Sequence, residues 1–270
     1  VNLEEAIERL AVPATARVNR RVAKKLLVEN SPRTFRKAIE QGIEQVQWVA
    51  VLKPATCALA AGSARLSGGD AVQVDELSVL TLTARDGARV SALVEAVHRA
   101  VPYHVLLWVH EAAGLSVSTA WKRPSLAHAE QVVLAGEPQR SPRLPPGELL
   151  PHQAGFVEAL AVTSAPVRDL AALYQRWSAA VLGAQVAEIT GVFAIPASPA
   201  DVEERRTLLD EHHKLTDQIA GLARDLRRAT QVRDRVDLST RLKRAEQDLA
   251  HLRGRLAPSP DSRISDRTGP

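Results

Sequence analysis

Apolar residues follow helical spacing at the two ends of the chain and strand-like runs between them. Residues 3–10 read as a short helix closed by Pro13. Ser31-Pro32 has the chemistry of a helix start, Ser as N-cap and Pro at the first helical position, for a helix to about Gly42 with Phe35 and Ile39 on one face. Residues 46–52 form an apolar, β-rich run, and residues 56–61 read as a second short strand. Ser67-Gly68-Gly69-Asp70 is turn chemistry. Residues 72–84 alternate well enough for one long strand with a bulge near Glu76. Val90, Leu93, Val94, Val97 and Val101 stand at helical spacing. Pro102 stops that helix. Residues 103–110 then read as a buried inner strand that turns at 111–114 and returns over 115–121. Residues 131–134 read as one more strand, and the Pro- and Gly-rich stretch 136–155 reads as a connector. A helix is expected over about 166–191.

The last third has a different period. Leu208, His212, Leu215, Ile219, Leu222, Leu226 and Ala229 step by alternating fours and threes, which is a heptad seam. A second seam runs through Leu238, Leu242, Ala245, Leu249, Leu252 and Leu256, out of phase with the first across 230–237. One bent helix of roughly 80 Å fits this pattern. So does an antiparallel hairpin turning near 231–234. The hairpin is favoured for a lone chain because the two stripes can face each other; a homodimer would also bury them. The expected architecture is α/β (α+β): a small mixed β-sheet flanked by helices over 1–195, a charged coiled-coil arm over 196–256 and a disordered tail over 257–270.

Apolar residues make up 45% of the chain and aromatics 3%, so a core is affordable but must be built from Leu, Val and Ala. Cys57 is the single cysteine, which rules out an intramolecular disulfide and a cysteine-based zinc site; it reads as a small buried residue on a strand. No apolar run is long enough to cross a membrane. The acidic, amphipathic start lacks the charge pattern of a signal peptide, so the expected location is the cytoplasm.

Charge is unevenly placed. Between 17 and 37, Arg17, Arg20, Arg21, Lys24, Lys25, Arg33, Arg36 and Lys37 are opposed only by Glu29. Between 224 and 244, eight basic residues stand against three acids. Such density can neutralise phosphates. No aromatic residues interleave for base stacking, so any contact is expected to be with the DNA backbone and weakly sequence-selective.

Catalytic chemistry is hard to find. His212 and His213 adjoin on the arm and read as surface residues, and the other histidines lack metal-ligand spacing, so no metal is expected. Neither a nucleophile elbow nor a phosphate loop is present, and no cofactor is expected. Asp75 and Glu76, after Asp70, resemble the paired acids of metal-dependent nucleases. However, the residue two after Glu76 is Ser78 where that chemistry wants Lys, and Lys53 precedes the acids. Asp75, Glu76 and His104 are therefore the only catalytic candidates, and Glu76 also reads as a solvent-facing strand or bulge residue.

The order of motifs resembles a known family. It comprises N-R-R-V-A-K-K at 19–25, I-E-Q-V-Q-W-V-A-V-L at 43–52, V-Q-V-D-E-L-S-V-L at 72–80, V-P-Y-H-V-L-L-W-V at 101–109, A-W-K-R at 120–123 and the charged helical end. This is similar to the bacterial and archaeal family of unknown function numbered 4391. The resemblance implies no established activity. It implies companionship with helicases, DNA methyltransferases and restriction-type subunits in defence-like gene clusters. Pro102, Tyr103, His104 and Lys122 are the motif positions to test. The expectation is a non-catalytic accessory subunit of an antiphage or restriction-modification-like complex, docking on a helicase or methyltransferase through its body or arm and touching DNA backbone. The alternatives are a divergent metal-dependent nuclease and a coiled-coil scaffold that forms homodimers. The arm's seam residues Leu208, Leu215, Ile219, Leu222, Leu226, Leu242, Leu249 and Leu252 carry the pairing surface.

Overall fold

A computed structural model describes residues 1–66, 69–125, 132–164 and 166–257. The turn residues 67–68, the start of the strand expected at 131, and the tail 258–270 lie outside the described residues. The chain divides into two compact units, Val1–Ala184 and Gln185–Pro270.

The first unit opens with α1 (Leu3–Arg9), β1 (Arg17–Arg21), α2 (Lys24–Glu29), α3 (Arg36–Gly42) and β2 (Ile43–Leu52). Then come α4 (Pro54–Cys57), β3 (Gly62–Arg65), β4 (Ala71–Val74), β5 (Leu77–Ala84), α5 (Val90–Ala100), β6 (His104–Glu111) and β7 (Gly114–Thr119). It continues through β8 (Lys122–Pro124), β9 (Val132–Leu134), β10 (Gln139–Arg140), α6 (Pro151–Ala159) and α7 (Leu170–Thr190), whose last turns pass into the second unit. The main sheet has the order β1-β2-β5-β6-β7-β10. Only β5 and β6 are parallel, joined by α5 as a crossover helix; the other pairs are antiparallel.

The alternation of β5 and β6 explains both faces. Leu80, Leu82, Val105, Leu107 and Val109 pack with Leu93, Val94 and Val97 of α5 and Ile39 of α3. Full burial of each such side chain contributes about 1.5–3 kcal/mol. The alternate residues Val79, Leu106, Trp108 and Val117 are equally shut from solvent. On their side α7 is tied to the sheet by Tyr174, whose hydroxyl meets the backbone of Val105 and Ala120.

Several expectations are corrected. Residues 72–84 are not one strand. β4 pairs with β3 in a separate two-stranded sheet, and the chain changes sheets at Asp75-Glu76 before β5 begins. Residues 56–61 are not a strand either. Pro54 starts a helical turn whose first turn is closed by Thr56, and Ala58 then adopts the left-handed conformation. Cys57 sits in that turn, half-buried. Ser31 does not cap a helix; its hydroxyl bonds Ala96 O of α5 at 3.2 Å, and α3 starts later, after a 3-10 turn. The stretch 136–155 is more than a connector. Ser141 N, together with β10, satisfies the open edge of β7, and α6 begins at Pro151. α7 starts at Leu170 rather than near 166 because Asp169 caps it, accepting from Ala172 N at 2.8 Å.

The second unit holds α8 (Pro199–Arg228) and α9 (Val232–Leu256), which pack against each other after a break at 229–231. The arm is therefore a helical hairpin and not one long helix. Leu208, His212, Leu222, Ala245, Leu252 and Leu256 are buried, and Leu215, Ile219, Leu226, Leu242 and Leu249 are half-buried between exposed neighbours. His212, expected at the surface, is 8% exposed because it occupies a seam position.

Candidate nucleic-acid interface

The basic segment becomes the edge of the main sheet. β1 pairs with β2 through Arg17, Arg20 and Arg21, with a bulge between Arg17 and Arg20 where Asn19 takes φ 48°. All five residues of β1 are exposed. A bulged edge rich in charge resists pairing with another strand and leaves its cations facing water. Arg33, Arg36 and Lys37 follow on the 3-10 turn and α3, also exposed. Among the described residues, none of Arg17, Arg20, Arg21, Arg33, Arg36 and Lys37 forms an ion pair, whereas Lys25 meets Glu29 at 3.7 Å.

Lys24 marks the most concentrated point. Its ammonium donates to the carbonyl of Ile43 and is half-buried. Burial lowers its pKa from the usual lysine value, and the nearby Arg85 and Arg21 lower it further, against Glu44 alone. Three cations thus converge beside a shallow hollow of about 390 Å³ lined by Arg21, Val22, Ala23, Lys24, Glu44, Gln45 and Val46. Arg85 was not singled out from the sequence; it comes in because its N–H bonds Gly42 O, where α3 meets β2.

The family motif does something else. His104 is 6% exposed and Lys122 2%. The Lys122 ammonium nitrogen lies 2.5 Å from Val101 O and also donates to Tyr103 O, and its backbone N–H donates to His104 Nε2 at 3.4 Å. The His104 ring stands edge-on to Trp121 and Tyr174, with centroids 5.3 and 4.9 Å away. Burial, then the neighbouring Lys122, lowers His104 to about 4, and burial lowers Lys122 to about 7. Behind them His98, fully buried, contacts Ser118 Oγ at 3.0 Å. Ser118 Oγ donates to Gln139 O, so His98 Nε2 carries the proton in that contact. Pro102 and Tyr103 form the bend that aims these carbonyls inward, and Tyr103 is 43% exposed. The motif is a closed clasp between the start of β6, the end of β7 and α7.

The family model described as Domain of unknown function (DUF4391) matches residues 10–249, from before β1 to within α9. The chain belongs to the DUF4391 family. No curated protein and no solved structure matches it.

In this DUF4391 chain the acids considered for nuclease chemistry each have a different partner. Asp75 is exposed and accepts from Gln73 at 3.0 Å. Glu76 is 9% exposed and pairs with Lys53 at 2.7 Å, and so is not solvent-facing. Asp70 faces Arg123 at 3.6 Å. Among the described residues no three His, Cys, Asp or Glu side chains group as metal ligands. Among them also, no helix is long and apolar enough to cross a membrane.

Proposed function

We propose that this DUF4391 protein is a non-catalytic accessory subunit of a DNA-targeting, restriction-like defence complex, and that its own contact with DNA is made by the basic edge of the main sheet. The observation that carries the reading is the run of unpaired cations Arg17, Arg20 and Arg21 on an exposed edge strand, continued by the Arg21–Lys24–Arg85 cluster. Cations without protein counter-ions release condensed ions from DNA when they meet phosphates, which gives affinity without sequence choice. The protein partner, a helicase or DNA methyltransferase subunit, docks on outer faces of the body or arm, since the apolar seam of the arm is spent within its own hairpin.

The test has two parts. Binding of the full chain to a labelled DNA duplex is measured by anisotropy between about 50 and 200 mM salt. Arg17→Gln, Arg20→Gln and Arg21→Gln combined should flatten the slope of log affinity against log salt by about 3. A chain that binds no duplex at the lowest salt sinks the reading. The partner is sought by pull-down from nuclease-treated and untreated host lysates; recovery of the chain alone removes the accessory-subunit part.

A further inference from the structure

The hairpin is electrically lopsided along its length. Near its base, α8 carries Asp201, Glu203, Glu204, Asp210, Glu211 and Asp217 against Arg205, Arg206 and Lys214, so that end is net acidic. Across 221–245, eight basic residues face three aspartates. Arg224, Arg227, Arg228, Arg233 and Arg235 lie within about 8 Å of the 229–231 connection along the helix axes, at 1.5 Å per residue. That is inside one Debye length at moderate salt, so they act on a partner together. All five are exposed. Of the eight, only Arg241 is in an ion pair among the described residues, with Asp237 at 3.8 Å.

The seam explains why this end is free. Leu222 and Ala245 are buried, and no residue from 230 to 237 is. The first turn of α9 therefore projects past the zipped part of the hairpin, with only polar and small apolar side chains on it. Helix pairing does not require its arginines, and α8 gains from Arg227 and Arg228 only the modest benefit of cations in a last turn.

We propose that the tip of the α8–α9 hairpin is a second DNA-contacting element, laid against the phosphodiester backbone of a duplex by Arg228, Arg233 and Arg235. This rests on the reading of the protein as DNA-binding, and it assigns the arm a different task from zipper pairing with another chain. Duplex DNA presents one charge per about 1.7 Å of axis, dense enough to engage several arginines at one helix end. The rival occupant is an acidic protein surface. That contact would also use Val232 and Val236, 78% and 62% exposed and one helical turn apart. Five exposed arginines outnumber the two small valines, and the acidic base of the hairpin sets the tip apart as the end suited to a polyanion.

The experiment compares full-length variants on one labelled duplex across salt, with circular dichroism to verify unchanged helicity. Arg228→Gln, Arg233→Gln and Arg235→Gln combined should weaken binding about tenfold and flatten the salt slope by about 3. Val232→Ser with Val236→Ser should change neither. If the arginine variant binds like the parent while the β1 triple variant is weakened, the tip assignment fails and the proposed function stands. If the parent chain does not bind duplex at all, both fail. A valine variant as weak as the arginine variant also overturns the assignment, in favour of an apolar protein contact.

Discussion

The phenol oxygen of Tyr174 lies 2.9 Å from both the backbone nitrogen and the carbonyl oxygen of Ala120, and 3.2 Å from Val105 O. One hydroxyl thus accepts the N–H where β7 ends and returns its proton to a carbonyl on the same sheet. Burial raises the phenol's pKa well above the tyrosine value, so the donor form persists. Tyr174→Phe leaves the Ala120 N–H buried without an acceptor. The expected loss is about 1–3 kcal/mol, read as a lower midpoint in chemical denaturation.

Lys122 predicts how stability follows pH. Its pKa is about 7 when folded and near the ordinary 10.5 when unfolded, because burial disfavours the charge. Between those values the unfolded chain binds more protons, so stability rises with pH. The slope for one proton is at most about 1.36 kcal/mol per pH unit. Lys122→Met should remove this rise between about pH 7 and pH 10. An unchanged profile would mean that the amine is solvated. His104 acts in the same sense lower down. With its folded pKa near 4, the stability from its neutral form is complete above the ordinary 6.5 and is lost as pH falls toward 4.

The reach of the sequence follows from which forces are local. The helix over 90–101 was legible because it buries a regular stripe, and the strand pair of β6 and β7 because β6 is a short unbroken apolar run followed by turn chemistry. The out-of-phase seams allowed both one bent helix and a hairpin, and burial of facing stripes favoured the hairpin; the chain turns at 229–231, slightly before the expected 231–234. The division of 72–84 between two sheets was not legible. Both stretches are apolar and β-prone, and only long-range pairing with β3 and β2 separates them. Lys122 and His104 stood out as polar residues beside a strand, but nothing nearby signalled that Tyr174, about seventy residues from Val105, would close over them. The basic run at 17–37 was plain from composition. Its placement on a sheet edge, with Arg85 drawn in, needed the fold.

Gly62 should not tolerate a side chain. A Cβ there would stand 2.3 Å from the Asp169 carboxylate. That carboxylate is held in place by Ala172 N at 2.8 Å and Arg168 at 2.7 Å while it caps α7. Gly62→Ala therefore pushes the cap off the helix or shifts β3. Crowding and cap loss together should cost about 2 kcal/mol. The check is the denaturation midpoint of Gly62→Ala against Asp169→Ala. The double variant should be less destabilised than the sum, since both changes act on one contact.

His212 is a defect in the hairpin seam. It is 8% exposed, flanked along the seam by Leu208 and Leu215, and neither ring nitrogen has a hydrogen-bond partner. Its pKa is lowered by burial first, then by Arg253 from α9 and by His213. The proton therefore favours the unfolded state. The stability of the neutral form is complete above the ordinary histidine value of 6.5 and is lost as pH falls below it. His212→Leu replaces an unpartnered polar ring with a side chain the seam can bury. It should stabilise the hairpin by about 1 kcal/mol. It should also shrink the difference between unfolding followed by helical circular dichroism at about pH 5 and at about pH 8, leaving the part that His104 contributes. Loss of helicity in the Leu variant at either pH would show that the imidazole holds the seam together instead of weakening it.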